Sequence, residues 1–182
     1  VGTAGGLLAA LDDAGHRRAV VMTSQEPAGY PDANDRILAE ARAADGRLIP
    51  FCRVDPTLGG EAVAELERCI GLGFRGLKLH PRGENFSLAL SVVGDLAGVA
   101  AGAGLPILIH AGRGIPRLGD DVERLLGRFP DLDVILAHGA ISDLAQLTER
   151  HGRHPGMFFD LAWWSSSSLI ALATRVPPDA SV

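Results

Sequence analysis

The chain has 182 residues, a net charge of −5 and a hydrophobic content of 47%. This composition predicts one globular domain over residues 1–182, and the lack of a basic cluster argues against nucleic acid and anionic membranes as partners. The sequence has no apolar run long enough to span a bilayer, no signal peptide and too few cysteines for a disulfide framework, so we expect a cytoplasmic protein.

Six short apolar segments alternate along the chain with segments in which apolar residues recur at helical spacing. The predicted strands are residues 19–23, 48–54, 74–80, 105–110, 133–138 and 157–161. Seven helices are predicted before, between and after them. The second has an N-terminal cap at Asp32 or Asn34, and the sixth has a cap at Ser142.

Strict alternation of strands and helices predicts an α/β fold with a parallel sheet covered by helices. Units of roughly 25–30 residues fit the repeat of an eight-stranded barrel, which takes about 250 residues in full. We therefore expect an incomplete (β/α)₈ TIM-barrel-like domain with about six units. It is expected to be truncated at both ends, with residues 177–182 leading into another strand. An open doubly wound sheet is the alternative, although the sequence lacks the glycine-rich phosphate-binding motifs of that class.

Three of the predicted strands end in histidine, at His80, His110 and His138. The carboxyl ends of barrel strands form the active site. Because side chains alternate along a strand, His80 should share a face with Lys78, and His138 should share a face with Leu136. We expect these faces to point into the barrel. Three imidazoles at one rim predict a metal site or an acid–base site.

Lys78 is the single lysine among the 17 lysine and arginine residues. A buried lysine can shift its pKa or act as a neutral nucleophile, and arginine can do neither. A buried ion pair is the alternative interpretation.

Further polar and aromatic residues follow the same strand ends. Arg113 lies in a glycine-flanked loop, where it either holds a substrate carboxylate or stays solvated. Trp163 either walls a substrate pocket or packs over the barrel mouth, and its neighbour Trp164 has the same two interpretations. Asp160 ends the last predicted strand and is a candidate base, histidine partner or helix cap. The same rim carries the polar residues Arg53, Asp55, Arg82 and Glu84.

Three segments resemble the amidohydrolase-related family of metal-dependent hydrolases and decarboxylases. They are residues 73–81 (GFRGLKLHP), 104–112 (GLPILIHAG) and 133–139 (DVILAHG). The opening segment, residues 7–15 (LLAALDDAG), is similar to the helix that follows the first strand of that family. The resemblance covers nearly the whole chain and implies a distorted (β/α)₈ barrel.

The resemblance also implies roles for individual residues. His110 would be a metal ligand, and His138 would be the catalytic histidine that contacts metal-bound water or substrate. His80 and Lys78 would face the substrate, and a carbamylated lysine bridges two metals in related binuclear enzymes. The His-x-His pair of the first strand and the aspartate of the eighth strand have no counterpart in this sequence. We therefore expect the chain as it stands to be inactive and the protein it comes from to be an enzyme.

By resemblance, the function is that of a metal-dependent hydrolase in which metal-activated water attacks a small carbonyl-containing substrate. The implied cofactor is a divalent metal, zinc in the first place and manganese as another option. Arg113 and Trp163 would favour a decarboxylase of an aromatic or unsaturated acid if they line the pocket. A non-catalytic, truncated barrel that acts as a binding or oligomerisation partner, including a homo-oligomer, is the second alternative.

Overall fold

The computed structural model of the protein describes residues 3–182 except Arg113, Pro116, Arg117, Ser142 and Trp163, and it describes Ser168 without its side chain. The strands are β1 (Ala19–Val21), β2 (Leu48–Pro50), β3 (Cys52–Arg53), β4 (Leu77–Leu79), β5 (Ile107–His110), β6 (Val134–Ala137) and β7 (Met157–Phe159). The helices are α1 (Ala4–Asp13), α2 (Pro31–Ala43), α3 (Gly60–Leu72), α4 (Ser91–Gly102), α5 (Gly119–Arg128), α6 (Leu144–His151) and α7 (Ser166–Ala173).

All strand pairings between these elements are parallel. β1 pairs with β2, and β3 to β7 form a second sheet in chain order. Each strand is joined to the next along that sheet through a helix, which is the connection that a barrel requires. With seven strands and seven α-helices in the described residues, the fold is an incomplete (β/α)₈ barrel, as the sequence predicts.

The predicted strand over residues 48–54 is broken at Phe51. The Phe51 N–H donates to the Val21 carbonyl at 2.8 Å, whereas the Cys52 N–H donates to the Gly76 carbonyl at 2.9 Å. The chain therefore leaves the β1 side and joins β4 at this point. Gly76 is required here, because a Cβ at this position would overlap the Phe51 ring.

The helix-facing side of the second sheet forms the main core. Two rows of register partners run across β4 to β7 on this side, and all eight residues are fully buried. The rows are Leu77, Ile107, Val134, Met157 and Leu79, Ile109, Leu136, Phe159. They pack with helix residues such as Leu66 and Leu96.

The orientation expected for the strand over residues 133–138, which is β6 in the structure, is wrong. The sequence pattern placed Leu136 on the same face as His138, pointing into the barrel. The register places Val134 and Leu136 with Ile107 and Ile109, on the helix-facing side. Since β6 ends at Ala137, His138 is not part of the alternation, and another feature must turn it into the barrel.

The chain end behaves as the sequence predicts. Ser181 forms an isolated parallel bridge with Phe159, and the Val182 N–H donates to the Phe159 carbonyl at 3.0 Å.

The two cysteines, Cys52 and Cys69, are fully buried and free, as expected of small hydrophobic residues. Among the described residues, no helix is both long and apolar enough to cross a membrane.

Candidate active site

A cavity of about 800 Å³ opens at the carboxyl ends of the strands. All three strand-end histidines line it. The other described lining residues are Ser24, Gln25, Arg53, Arg82, Gly83, Gly112, Ile141 and Trp164. The strand-end rule therefore located the cavity correctly.

The three imidazole rings contact one another in sequence. The rings of His80 and His110 are stacked, with centroids 3.8 Å apart and planes 11° apart. His110 and His138 meet edge to face, with centroids 4.9 Å apart and an interplanar angle of 74°. Gly112 permits this packing, because a Cβ there would lie 2.9 Å from His138 Cδ2 and 3.1 Å from His110 Nε2.

Hydrogen bonds fix the tautomers of two of these rings. The Gly83 N–H donates to His80 Nδ1 at 3.0 Å, so the neutral ring of His80 carries its proton on Nε2. His138 Nδ1 lies 3.1 Å from the Ala162 carbonyl oxygen, which can only accept, so Nδ1 carries the proton and the lone pair is on Nε2. His80 is thus a hydrogen-bond donor at Nε2, and His138 is a base or ligand at Nε2.

The rings of the stacked pair are neutral over the physiological range. Burial, and then the nearby Lys78 ammonium, lower the pKa of His80 to about 4. Burial, and then the adjacent His80 ring, lower the pKa of His110 to about 3. A neutral imidazole is the form that binds metals and accepts protons.

A left-handed turn brings His138 into the cavity. His138, Gly139 and Ala140 have φ angles of 57°, 58° and 52°, which only glycine adopts without strain. Asp160 holds the turn, because Oδ2 accepts the His138 N–H at 3.1 Å and Oδ1 accepts the Ala162 N–H at 3.1 Å. Of the three roles open for Asp160, the structure therefore supports that of a partner to the histidine.

Arg53 is the polar residue whose importance the sequence did not reveal. It is 4% exposed, and Nη2 and Nε donate to Glu84 Oε1 at 2.6 Å and 3.1 Å. Tyr30 donates to the same Glu84 oxygen and lies under the guanidinium, whose carbon is 5.4 Å from the ring centroid. Burial, together with the bond to Glu84, raises the pKa of Tyr30 above its usual range. This cluster ties the loop after β4 to β3 and α2.

Lys78 lies on β4, two residues before His80, and its register partner on β3 is Arg53. Its side chain is buried, and no hydrogen bond or ion pair joins it to another residue in the described part of the chain. Burial, and then the Arg53 charge, lower the pKa of Lys78 to about 8. Lys78 is not among the described residues that line the cavity.

Two predicted substrate contacts, Arg113 and Trp163, and the predicted cap Ser142 lie outside the described residues.

The predicted cap at Asp32 or Asn34 is wrong. Helix α2 begins at Pro31, and the Asn34 side chain bonds the backbone of Arg53 instead. The contribution of Gln25 was missed; its Nε2 donates to the Gly83 carbonyl. Gln25 follows the carboxyl end of β1, so the rule that active sites form at the carboxyl ends of barrel strands would have placed Gln25 at the site.

The donor set in the described residues does not complete a zinc site. Zinc in proteins takes three or four protein ligands. His110 and His138 offer ring nitrogens, whereas the Gly83 bond uses the lone pair of His80. No group of three or more histidine, cysteine, aspartate or glutamate side chains in the described residues could hold a metal ion. An ion bound here would therefore need further ligands.

The cavity suits an anionic ligand. Its described lining includes two arginines, Arg53 and Arg82, and no carboxylate. Below it lies the buried Lys78. Arg53 is paired with Glu84 behind the cavity wall, so what the lining offers an anion is chiefly guanidinium hydrogen-bond donors.

Comparison with known proteins gives a family and a fold. The model of a family described as amidohydrolase matches residues 4–180 of this chain. No curated protein sequence matches the chain.

Solved structures with the same fold include three informative examples. An uncharacterised TIM-barrel protein from Bordetella bronchiseptica is 19% identical with a TM-score of 0.75, and the match covers 93% of this chain and 66% of that one. The 2,6-dihydroxybenzoate decarboxylase from Rhizobium is 15% identical with a TM-score of 0.74, and the match covers 97% of this chain and 75% of that one. The 4-oxalomesaconate hydratase from Rhodopseudomonas palustris is 16% identical with a TM-score of 0.72, and the match covers 98% of this chain and 64% of that one. The chain thus spans between 64% and 75% of the lengths of these three structures.

Proposed function

Because the chain belongs to the amidohydrolase family, we propose that it carries the active site of a hydrolase that acts on a small carbonyl-containing substrate. The observation that supports this most is the convergence of His80, His110 and His138 in one cavity, with two of the rings held neutral. Acid–base catalysis needs groups of this kind within reach of one bound molecule.

The two fixed tautomers give His80 and His138 different roles. His138 Nε2 accepts the proton of the attacking water, and Asp160 keeps the ring in place through the backbone. His80 donates from Nε2 to the substrate oxygen on which negative charge develops. The proton on His138 then passes to the leaving group.

A divalent metal, zinc or manganese, belongs to the proposal because the superfamily is generally metal-dependent. His110 would be one ligand. The described residues supply too few donors for a complete site, so the remaining ligands would come from outside them. The contribution of this chain's own groups is proton transfer and hydrogen bonding.

A decarboxylase is the second candidate, and the two arginines that line the cavity favour it. A substrate carboxylate would bind near Arg53 and Arg82, and His138 would pass a proton taken up at Nε2 to the ring carbon that loses carbon dioxide. The similarity to 2,6-dihydroxybenzoate decarboxylase supports the same candidate at the level of the fold.

Turnover by the full-length gene product distinguishes the candidates. One panel contains lactones and amides, the other hydroxybenzoates, and each is tested with added Zn²⁺ or Mn²⁺ and after chelation. Hydrolysis of the first panel supports the hydrolase, and carbon dioxide release from the second supports the decarboxylase. Inactivity on both panels, with or without metal, contradicts the proposal.

A further inference from the structure

The backbone of Arg53 is bound by a side chain where a strand would normally lie. Its N–H donates to Asn34 Oδ1 at 3.0 Å, and its carbonyl accepts from Asn34 Nδ2 at 3.0 Å. A neighbouring β-strand uses the same pair of groups. Because the sheet is broken at Phe51, the fully buried Asn34 replaces the missing strand beside β3.

The Asn34 amide is itself fixed in one orientation. Nδ2 also donates to Glu65 Oε1 at 2.8 Å, and a carboxylate can only accept. Burial raises the pKa of Glu65, but the hydrogen bonds from Arg68 and Asn34 outweigh it and hold this pKa below the usual value. Arg68 binds Glu65 through Nε at 2.7 Å and Asp35 through Nη1 at 2.8 Å. The amide therefore cannot flip without breaking the bond to Glu65.

The guanidinium of Arg53 retains donors for a ligand. Nε and Nη2 each give one N–H to Glu84, and Nη1 gives one to the Thr23 carbonyl at 3.4 Å. An arginine has five N–H groups, so two remain without an acceptor among the described residues. Arg53 lines the cavity, and a guanidinium with two donors matches a carboxylate.

We infer that Arg53 binds a carboxylate group of the substrate and that Asn34 is the positioning residue that sets its direction. This inference rests on the proposed function, since it assigns the substrate-binding group of the same cavity. Asn34 would act by fixing the backbone from which the arginine side chain extends, while Glu84 fixes the guanidinium end. A network that served stability alone would not affect the preference for charged ligands.

The test uses binding of benzoate and of its neutral counterpart benzamide, measured by titration calorimetry. We expect the wild-type protein to bind benzoate about 10-fold or more tightly than benzamide. Arg53→Gln should bring this ratio close to one. Asn34→Leu should lower the ratio about threefold or more, with benzamide affinity unchanged within about twofold. Thr148→Val removes a partly buried hydrogen bond elsewhere in the fold, from Oγ1 to the Ala145 carbonyl, and should leave the ratio unchanged.

A second variant covers the case in which Asn34→Leu does not fold. Glu65→Gln leaves Arg53 intact but removes the charge that orients the Asn34 amide, so we expect the ratio to fall about twofold or more. If neither Asn34→Leu nor Glu65→Gln changes the preference for benzoate over benzamide, the positioning role of Asn34 is overturned. Equal wild-type affinity for both probes overturns the carboxylate role of Arg53. The binding test does not need either probe to react. If the protein prefers benzoate as expected but turns over neither substrate panel, only the proposed function is contradicted.

Discussion

The imidazole rings of His80 and His110 are stacked, with centroids 3.8 Å apart and planes 11° apart. Protonation of either ring would place a charge against the other and near Lys78, which is why burial and these neighbours lower both pKa values, to about 4 and about 3. The pair is thus stable only when both rings are neutral. This has a direct consequence for stability in acid.

Acid should destabilise the fold through this pair. The unfolded histidines have a pKa of about 6.5. Between that value and about 4, the unfolded state binds more protons than the native state, so the free energy of unfolding decreases as the pH falls. We expect a lower urea midpoint at pH 5 than at pH 7. His110→Asn should reduce this difference, whereas the exposed His16→Asn should not. Equal pH dependence of His110→Asn and wild type would contradict the neutral pair.

Lys78 should destabilise the fold at neutral pH, because the residue is only 6% exposed and no hydrogen bond or ion pair joins its ammonium group to another described residue. The change Lys78→Met should raise the free energy of unfolding at pH 7 by about 1–3 kcal/mol. The native pKa of about 8 lies below the unfolded value, so the native lysine becomes neutral first as the pH rises. The gain should therefore shrink above pH 8 and vanish near pH 10.5. A gain that is constant with pH would argue against a buried charge.

Gly139 should not tolerate a side chain. Its φ is 58°, and a Cβ would overlap the Trp164 ring. Gly104 is the matched control, since its φ is 63° and a Cβ there meets nothing within 4 Å. We expect Gly104→Ala to cost about 1–2 kcal/mol from the backbone alone and Gly139→Ala to cost at least about 1 kcal/mol more in urea unfolding. Near-ultraviolet circular dichroism should change only in Gly139→Ala. Similar costs for the two variants would mean that Trp164 does not pack on this turn.

The ion pair between Arg53 and Glu84 should be costly to break. Their side chains are 5% and 3% exposed. Glu84→Gln leaves the buried guanidinium without its counter-charge and should cost about 2–4 kcal/mol of unfolding free energy. Glu26→Gln makes the same chemical change in the exposed pair with Arg36 and should cost less than about 1 kcal/mol. If the two variants are equally stable, the Arg53 pair is solvated rather than buried.

The sequence predicted the parts of the fold that depend on periodic patterns. Alternating strand and helix segments gave the parallel sheet, and the strand-end rule brought His80, His110 and His138 to one cavity. The orientation of β6 was predicted wrongly because a left-handed residue, His138, follows the strand. Such a residue redirects its side chain without a trace in the hydrophobic pattern.

The interactions of Arg53 were beyond prediction for a different reason. Its partners Asn34 and Glu84 lie 19 and 31 residues away along the chain, on a helix and in a loop. Asn34 follows Pro31 at a helix start, where an asparagine is typical of a cap. Only the break at Phe51 creates the unpaired backbone that this side chain binds.

Replacement of His138 tests the proposed active site most directly. In the full-length gene product, on whichever substrate is turned over, His138→Asn should reduce kcat/KM by a factor of about 10²–10⁴. His151→Asn is the matched control, because His151 packs on Phe159 outside the cavity and should retain activity within about threefold. Retained activity in folded His138→Asn would contradict the assignment of this cavity as the active site.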